Sequence, residues 1–381
     1  MTKNILILAS EYPHLNKPRD GIFIEDQLIT LNQHGIKTDI VFVEPRSLKE
    51  LSINSLKKFH FNFSFSVENG INTYRWHCWN TYLNSFAGGI IYSILTFYLA
   101  RKYIKEVGKP KIIHAHNTFW TGLSAYLLSK KYNIPFIITE HSSRFLISPP
   151  KGKWKTIAKL VLGSAESVIA VSNNLGQILE TFGAKSISCI PNVINFKDFY
   201  IEEAKTKDHF KLLAVGNLTK NKAFDILIKA FKICKKYHPK LHLTIIGNGD
   251  QKNSLINLRD NYNLKESITF TGYLKRKEVI KHMQTSNALI LSSYHETFGT
   301  VIIEALACGT PVISTTSGGP DSIITKKVGK LVKIGDYKSL ADAIMETMSE
   351  DYNSNQLRDY VYKIYGEEAF IKSISNIYYK Y

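Results

Sequence analysis

The sequence predicts an α/β protein built from two Rossmann-like, doubly wound domains, and a repeated alternation of patterns supports this prediction. Short apolar runs alternate with amphipathic helical patterns in both halves of the chain. A chain of 381 residues is also too long for one ordinary core. The stretch 195–210 is polar and has the composition of a linker. We therefore predict domains at 1–194 and 195–365 that face each other across a cleft, and a C-terminal helix at 366–381 that packs back on the first domain.

The first elements are those with which a doubly wound domain begins. The run from Ile5 to Ala9 predicts a strand, a polar loop follows, and a helical pattern starts after Gly21. Gly21 stands where the loop meets the helix, and a glycine there lets a ligand approach the backbone closely. The alternative is that Gly21 only starts the helix. The loop lacks the G-x-G-x-x-G pattern of dinucleotide-binding proteins.

Two segments of the first half bear on membrane contact. Lys49 to Val67 mixes lysines with aromatic and aliphatic residues, which predicts an exposed basic amphipathic segment. Trp76 to Ala100 has no Asp, Glu, Lys or Arg, but its purely apolar part is shorter than the roughly 20 residues that span a bilayer. We expect a buried helix there, with a monotopic membrane contact as the alternative.

Polar residues follow the later strands of the first half at the point where each strand ends. They are His114, His116, Glu140, His141, Ser172, Asn173 and Asn192. Ligands of open parallel sheets bind beyond the carboxyl ends of the strands, so this recurrence predicts a ligand site. A histidine at a strand end is often only hydrogen bonded, and the spacing of these histidines does not indicate a metal pair.

The second half repeats the alternation, with polar or glycine-rich loops after its strands. Predicted helices are Phe224 to Tyr237, Gln251 to Tyr262, Arg276 to Thr285 and Phe298 to Cys308, and Leu340, Ile344 and Met348 indicate a further helix. The loop VGNLTKNKAFD contains Lys220 and Lys222, and a lysine in a glycine-flanked loop is a natural counter-charge for a phosphate. Lys222 is our first choice, with an ordinary solvated lysine as the alternative.

The stretch Ser292 to Gly309 predicts the end of a strand, a polar loop and the start of a helix. Glu296 lies in the loop, and Glu304 lies about two turns into the predicted helix. Helical side chains lean towards the helix N-terminus, so Glu304 reaches back towards the loop. The N–H groups of Phe298 to Val301 can hold an anion while both carboxylates accept from hydroxyls. Alternatively, Glu296 caps a helix and Glu304 is an exposed helix charge.

Composition restricts the partners and the compartment. The formal net charge of +17 favours acidic partners such as phosphorylated substrates or anionic lipid, whereas the absence of an arginine stripe interleaved with aromatics argues against nucleic acid. We expect Cys78, Cys189, Cys234 and Cys308 to be reduced core thiols, with neither disulfides nor a metal site. The N-terminus has no signal-peptide pattern, which predicts a cytoplasmic protein.

Several motifs together resemble a known family. They are SSYHETFGTVIIEALACGTPVIST, SGGPDSII, VGNLTKNKAFDILIKAF, IIGNGD and TFTGYL in the second half, and PFIITEHSS, SVIAVS and IPNVIN in the first. In this order the chain resembles the retaining glycosyltransferases of family 4, which have the two-domain GT-B architecture and an E-x7-E motif, here Glu296 to Glu304.

The resemblance implies a role for each matching residue. Glu304 holds the ribose of a nucleotide, and Glu296 contacts hydroxyls of the donor sugar. Lys222 and the amides of Phe298, Gly299, Thr300 and Val301 bind the diphosphate; His141 faces the transferred sugar, and Gly21 lines the cleft near the phosphates. We count Glu296, Lys222 and His141 as catalytic, and we add Lys220, Asn217, Asn192, Gly247 and Tyr273 to the substrate-binding set. Asn217 stands where the family usually has arginine, and Lys220 is the candidate to supply that charge.

The implied reaction is the transfer of a hexose from a nucleotide-diphosphate sugar, expected to be a UDP-sugar, with retention and without a metal or other cofactor. The expected acceptor is a glycan or lipid-linked glycan of bacterial surface polysaccharide (capsule, O-antigen or lipopolysaccharide), at the inner face of an anionic membrane, with a soluble acceptor as the rival. A GT-B enzyme of other chemistry, such as a nucleotide-sugar epimerase, and a non-catalytic glycan-binding relative are the alternative functions.

Overall fold

The computed structural model describes residues 4–14, 17, 20–46, 52–79, 85–202 and 209–381. The chain divides into two compact units. The N-terminal unit comprises Met1–Val193 and Phe370–Tyr381, and the C-terminal unit comprises Ile194–Ala369.

The N-terminal unit contains an eight-stranded sheet in the order β3-β4-β2-β1-β5-β6-β7-β8. Its strands are β1 (Ile5–Ala9), β2 (Thr38–Arg46), β3 (Phe63–Glu68), β4 (Ile71–Trp79), β5 (Ile112–His116), β6 (Phe136–Glu140), β7 (Ser167–Ala170) and β8 (Ile187–Cys189). Neighbouring strands are parallel except β3, which pairs antiparallel with β4. Every residue of β1, β5 and β6 is buried, as expected for central parallel strands covered on both faces.

The helices of this unit connect and cover its strands. They are α1 (Ile22–Gln33), α2 (Ile53–Phe59), α3 (Phe86–Val107), α4 (Leu123–Tyr132), α5 (Arg144–Ile147), α6 (Gly152–Ser164) and α7 (Asn173–Thr181). The charge-free span predicted as one buried helix is therefore divided. It contains the end of β4 and the first part of α3, and residues 80–84 lie outside the described residues.

The segment Lys49 to Val67, predicted to be an exposed basic amphipathic segment, contains a helix and an exposed edge strand. Residues 47–51 lie outside the described residues, α2 follows, and β3 then forms an edge strand. Glu68 pairs with Ile71, so Asn69 and Gly70, both with positive φ, form a two-residue hairpin turn. Asn-Gly favours this turn because both residues tolerate the left-handed conformation. The hairpin signal is thus present in the sequence, although the mixture of lysines and aromatics around it also fits a basic segment.

The C-terminal unit contains a six-stranded, all-parallel sheet in the order β11-β10-β9-β12-β13-β14. Its strands are β9 (Lys211–Val215), β10 (His242–Ile246), β11 (Ile268–Gly272), β12 (Ala288–Leu291), β13 (Val312–Thr315) and β14 (Gly329–Val332), and its helices are α8 (Phe224–Tyr237), α9 (Lys252–Asn261), α10 (Arg276–Thr285), α11 (Thr300–Ala307), α12 (Tyr337–Ser349) and α13 (Ser354–Tyr365). The strand order reverses between β9 and β12, which makes that point the topological switch of the sheet.

The last helix, α14 (Glu367–Tyr378), supplies apolar side chains to the core of the N-terminal unit. Phe370, Ile374, Ile377 and Tyr378 are buried there, at a spacing that puts them on one helix face.

The four cysteines are free thiols, but they do not all lie in a core. Cys78, Cys234 and Cys308 are buried, whereas Cys189 is exposed, so the core prediction is wrong for Cys189. Cys189 ends the short edge strand β8, where one side of the strand has no neighbour in the sheet.

Candidate active site

The loops after β9 and β12 lie on either side of the topological switch of the C-terminal sheet. Lys222 is in the loop after β9, and Glu296 is in the loop after β12. Because β9 and β12 are hydrogen-bonded parallel neighbours, both loops leave the same edge of the sheet. Ligands of open α/β sheets bind in the crevice at this place.

Lys222 and Glu296 form an ion pair across the switch point. The Lys222 Nζ lies 2.5 Å from Glu296 Oε1, and Ser293 Oγ donates to the same oxygen at 2.6 Å. The lysine side chain is 23% exposed and the glutamate side chain 11%. Among the described residues no donor reaches Oε2, so this oxygen can accept from a ligand, and the ammonium keeps further N–H donors for an anion.

Hydrogen bonds between the two loops hold this pair in place. Asn221 accepts from the Tyr294 N–H through its carbonyl at 2.8 Å and donates from its side chain to the His295 carbonyl at 3.0 Å. Ser292 Oγ donates to the Lys222 carbonyl at 2.8 Å. Sequence reasoning missed Asn221, Ser292 and Ser293, because loop asparagines and serines are common and only the folded loops show their partners.

Helix α11 begins two residues later than predicted. Gly299 has φ 91°, a left-handed conformation that precedes the first helical residue, Thr300. Glu304 is therefore about one turn into the helix and not two. The first N–H groups of a helix have no intrahelical acceptors, and they lie directly after the Glu296 loop.

A second glycine loop braces the Glu296 backbone. Glu296 donates its N–H to the Ser317 carbonyl and accepts from the Gly319 N–H, both at 2.9 Å. A Cβ placed on Gly319 would lie 2.5 Å from the Phe298 nitrogen, closer than real Cβ contacts. Glycine at 319 thus allows the SGG loop to lie against the backbone before α11.

Four more predicted residues come together beside β9. Tyr273 donates from its hydroxyl to Asn217 Oδ1 at 3.2 Å, and both residues are exposed. Gly247 has φ 145°, and a Cβ there would lie 1.9 Å from the Gly216 carbonyl oxygen. Lys220 is exposed, in the same single helical turn as Lys222. The loops after β9, β10 and β11 therefore meet at one place.

In the N-terminal unit, His141 belongs to a buried group of rings that we call the histidine column: His114, His116 and His141. His116 Nδ1 lies 3.0 Å from His141 Nε2, and the two rings are 6° from parallel. Burial lowers the pKa of His116 to about 3, and burial and then the neighbouring His116 lower the pKa of His141 well below its usual value. Because these pKa values are low, the column is uncharged at neutral pH, and His141 offers a neutral imidazole to a ligand.

The other end of the column is anchored by hydroxyl groups. His114 stacks on His116 at a centroid distance of 4.5 Å. Its Nδ1 lies 2.7 Å from the Tyr378 hydroxyl of α14, and its Nε2 lies 2.7 Å from Thr139 Oγ1. The C-terminal helix therefore fixes the orientation of a ring that the sequence placed at a strand end.

Asn192 and Gly21 also lie in the N-terminal unit. Asn192 Oδ1 accepts from Gln27 Nε2 at 3.1 Å. The Asn192 side chain raises the pKa of His141, against the larger lowering caused by burial. Gly21 precedes α1 with φ 68°, and a Cβ there would lie 2.3 Å from the Glu11 carbonyl oxygen. Only glycine fits this close approach.

Two family models match the chain, one in each half. Glycosyltransferase Family 4 matches residues 33–198, and Glycosyl transferases group 1 matches residues 196–364. A relative over nearly the full length is TuaC of Bacillus subtilis, whose assigned role is that of a glycosyltransferase in teichuronic acid biosynthesis. It is 27% identical over 379 residues, which cover 94% of this chain and 92% of TuaC.

Solved structures share the fold over the whole chain. Sucrose-phosphate synthase from Thermosynechococcus elongatus superposes with a TM-score of 0.80 at 20% identity, covering 99% of this chain and 98% of the enzyme. HepE of Anabaena, solved with UDP and glucose, gives 0.74 at 17% identity with both chains fully covered. The predicted fold class, two Rossmann-like α/β domains of the GT-B type, is confirmed. The chain therefore belongs to the glycosyltransferases, with a family 4 domain in its first half and a group 1 domain in its second.

Proposed function

We propose that this glycosyltransferase is a retaining, metal-independent enzyme that transfers a hexose from a UDP-sugar to a glycan or lipid-linked glycan acceptor in bacterial surface polysaccharide synthesis. The observation that carries the proposal is the Lys222–Glu296 pair at the topological switch, next to the start of α11. It combines a cation for a diphosphate with a carboxylate oxygen for a hydroxyl.

The diphosphate is assigned to Lys222 and the N-terminus of α11. Negative charge develops on the leaving diphosphate as the glycosidic bond breaks, and a preorganised ammonium with helix N–H groups stabilises that charge. These groups supply the positive charge that a divalent ion provides in other transferases. Addition of a chelator is therefore expected to leave the rate unchanged.

The hydroxyl contacts are assigned to the two glutamates. Glu304, half-buried one turn into α11, is assigned to the ribose, and Glu296 Oε2 to the donor sugar. Because Glu296 Oε1 already accepts from Lys222 and Ser293, this carboxylate is a poor nucleophile. That favours a same-face reaction in which the acceptor oxygen forms the new bond to the anomeric carbon and its proton passes to the leaving phosphate oxygen.

The acceptor is inferred from charge and from a relative. The net charge of +17 suits an anionic or membrane-bound glycan, and TuaC is assigned to teichuronic acid biosynthesis, whose product is named as an acid. The contacts predicted for His141 and Gly21, in the N-terminal unit, stay predictions.

The test is to incubate the protein with a panel of nucleotide sugars and to follow nucleotide release and the anomeric configuration of the product by NMR. We expect turnover with a UDP-sugar in the presence of EDTA and an axial product from an axial donor. Glu304→Gln raises KM for the donor at least about tenfold, since a charged acceptor to the ribose is lost. Glu180→Gln, an exposed helix glutamate of the N-terminal unit, is the matched control and leaves KM unchanged.

Four results would contradict the proposal. An inverted product would refute retention, and dependence on a divalent ion would refute the role of Lys222. Interconversion of the donor without transfer would favour an epimerase, and tight glycan binding without nucleotide binding would favour a non-catalytic relative.

A further inference from the structure

Helix α3 buries one face and exposes the other. Its buried residues are Gly88, Gly89, Tyr92, Ser93, Thr96, Leu99, Ala100 and Tyr103. On the opposite side Ile91, Ile94 and Tyr98 are 50%, 44% and 52% exposed, and we call these three residues the outer face of α3. Their spacing forms one stripe along the helix. Isolated exposed apolar residues are normal, but a continuous stripe of large side chains is not.

Strand β3 of the same unit also exposes apolar side chains. Phe65 and Val67 of β3 are 53% and 62% exposed. The Phe65 ring lies 4.9 Å from Tyr74, whose ring lies 5.1 Å from Tyr103 of α3. The exposed side chains of β3 therefore project on the same side of the sheet as α3.

The charges around the outer face are almost all positive. Lys131 of α4 lies over the Phe97 ring of α3 at 5.8 Å, and Lys130 lies over the Tyr126 ring at 5.8 Å. Helices α3 and α4 contain one acidic residue, Glu106, which is paired with Lys102 at 2.6 Å. An apolar stripe bordered by unopposed lysines complements a surface that is apolar inside and anionic outside.

We propose that the outer face of α3 docks in the plane of an anionic lipid bilayer, with Ile91, Ile94 and Tyr98 among the acyl chains and Lys130 and Lys131 at the headgroups. In the described part of the chain, no helix has the length and hydropathy to cross a bilayer. Only the biological role of this docking, which is to bring the enzyme to a lipid-linked acceptor, rests on the proposed function.

The test is flotation of the full chain with vesicles of phosphatidylcholine, with and without phosphatidylglycerol. We expect flotation at low salt only when phosphatidylglycerol is present, and less flotation as salt screens the lysines. The double variant Ile91→Asp, Ile94→Asp lowers the partition coefficient at least about tenfold, because it places charges at the apolar contact. Ile364→Asp, on α13 and similarly exposed at 41%, is the matched control and floats as the unmodified protein does.

A second variant separates charge from apolar contact and guards against misfolding. Lys130→Glu with Lys131→Glu abolishes the preference for phosphatidylglycerol while the melting temperature stays unchanged. Absence of flotation on anionic vesicles at low salt would overturn the proposal, as would equal flotation of the double variant and Ile364→Asp. Self-association without lipid that the double variant abolishes would assign this face to a second copy instead. UDP binding, measured separately, is expected to be unchanged in all variants, so a failed docking proposal is distinguishable from a failed donor site.

Discussion

In the C-terminal unit the polar side chains at the strand ends are charged and partly exposed, whereas in the N-terminal unit the histidines at the strand ends are neutral and buried. Lys222 and Glu296 form an ion pair, and both side chains remain partly exposed to water. The histidine column lies among fully buried strands, where burial disfavours the protonated imidazole. The same position in a Rossmann-like sheet therefore supplies charge in one unit and fixed, neutral hydrogen-bonding groups in the other.

The largest effect is expected when the Lys222 ammonium group of the C-terminal unit is removed. Lys222→Met lowers kcat about 100- to 1,000-fold, because the leaving diphosphate loses a preorganised cation. Steady-state nucleotide release with a UDP-sugar measures it. Lys229→Met is the control, since Lys229 lies on α8 and pairs with Asp225 at 3.2 Å. A loss below about tenfold, with UDP binding intact, would reduce Lys222 to a structural partner of Glu296.

The second prediction concerns the neutral histidine column of the N-terminal unit and is tested by lowering the pH. The folded pKa of His116, about 3, lies below its unfolded value, so the unfolded chain takes up a proton that the folded chain does not. Its stability contribution is complete above pH about 6.5 and is lost as the pH falls towards 3. Between pH about 7 and 5 we expect a loss of about 2 kcal/mol from His116.

Hydrogen exchange of the β5 and β6 amides measures this loss as the free energy of local opening. Burial raises the pKa of Glu140, which opposes the effect, so the informative quantity is the difference between the unmodified protein and His116→Gln. Equal pH dependence in the two proteins would show that His116 takes up a proton in the folded state as readily as in the unfolded chain.

The smallest expected effect concerns the anchor of the column. Tyr378→Phe removes a hydroxyl that lies 2.7 Å from His114 and leaves that ring nitrogen buried without its partner, at a cost of about 1–2 kcal/mol. Tyr379→Phe is the neighbouring control, because Tyr379 is 68% exposed. Thermal unfolding of the two variants gives the comparison. Equal melting temperatures would mean that the Tyr378 hydroxyl contributes nothing to the stability of the column.

Part of the candidate site could be predicted from the sequence, because its residues lie in loops that directly follow predicted strands. Lys222 and Glu296 each follow a strand closely, so a parallel sheet brings their loops to one edge. The residues that hold this pair in place could not be predicted from the sequence. Asn221 and Ser292 bond across a sequence separation of about seventy residues, and Gly319 is required only because another loop lies against it.

Errors in the predicted elements have local causes. The β3–β4 hairpin is absent from the sequence prediction because lysines and aromatics there also fit a basic segment, although Asn69-Gly70 is a strong turn signal. Helix α11 starts late because Gly299 adopts a left-handed conformation, which the apolar period of the following residues does not reveal.

The sequence by itself determined the alternation of strands and helices and the polar residues at the strand ends, since hydrophobic period and short-range turn chemistry are local properties. It also determined which residues of α14 are apolar. Only the tertiary structure decided that Lys222 pairs with Glu296, that Tyr378 anchors His114, and that the histidines are neutral. Ion pairing, burial and pKa depend on the neighbours that folding brings together, and the chain order does not encode those distances directly.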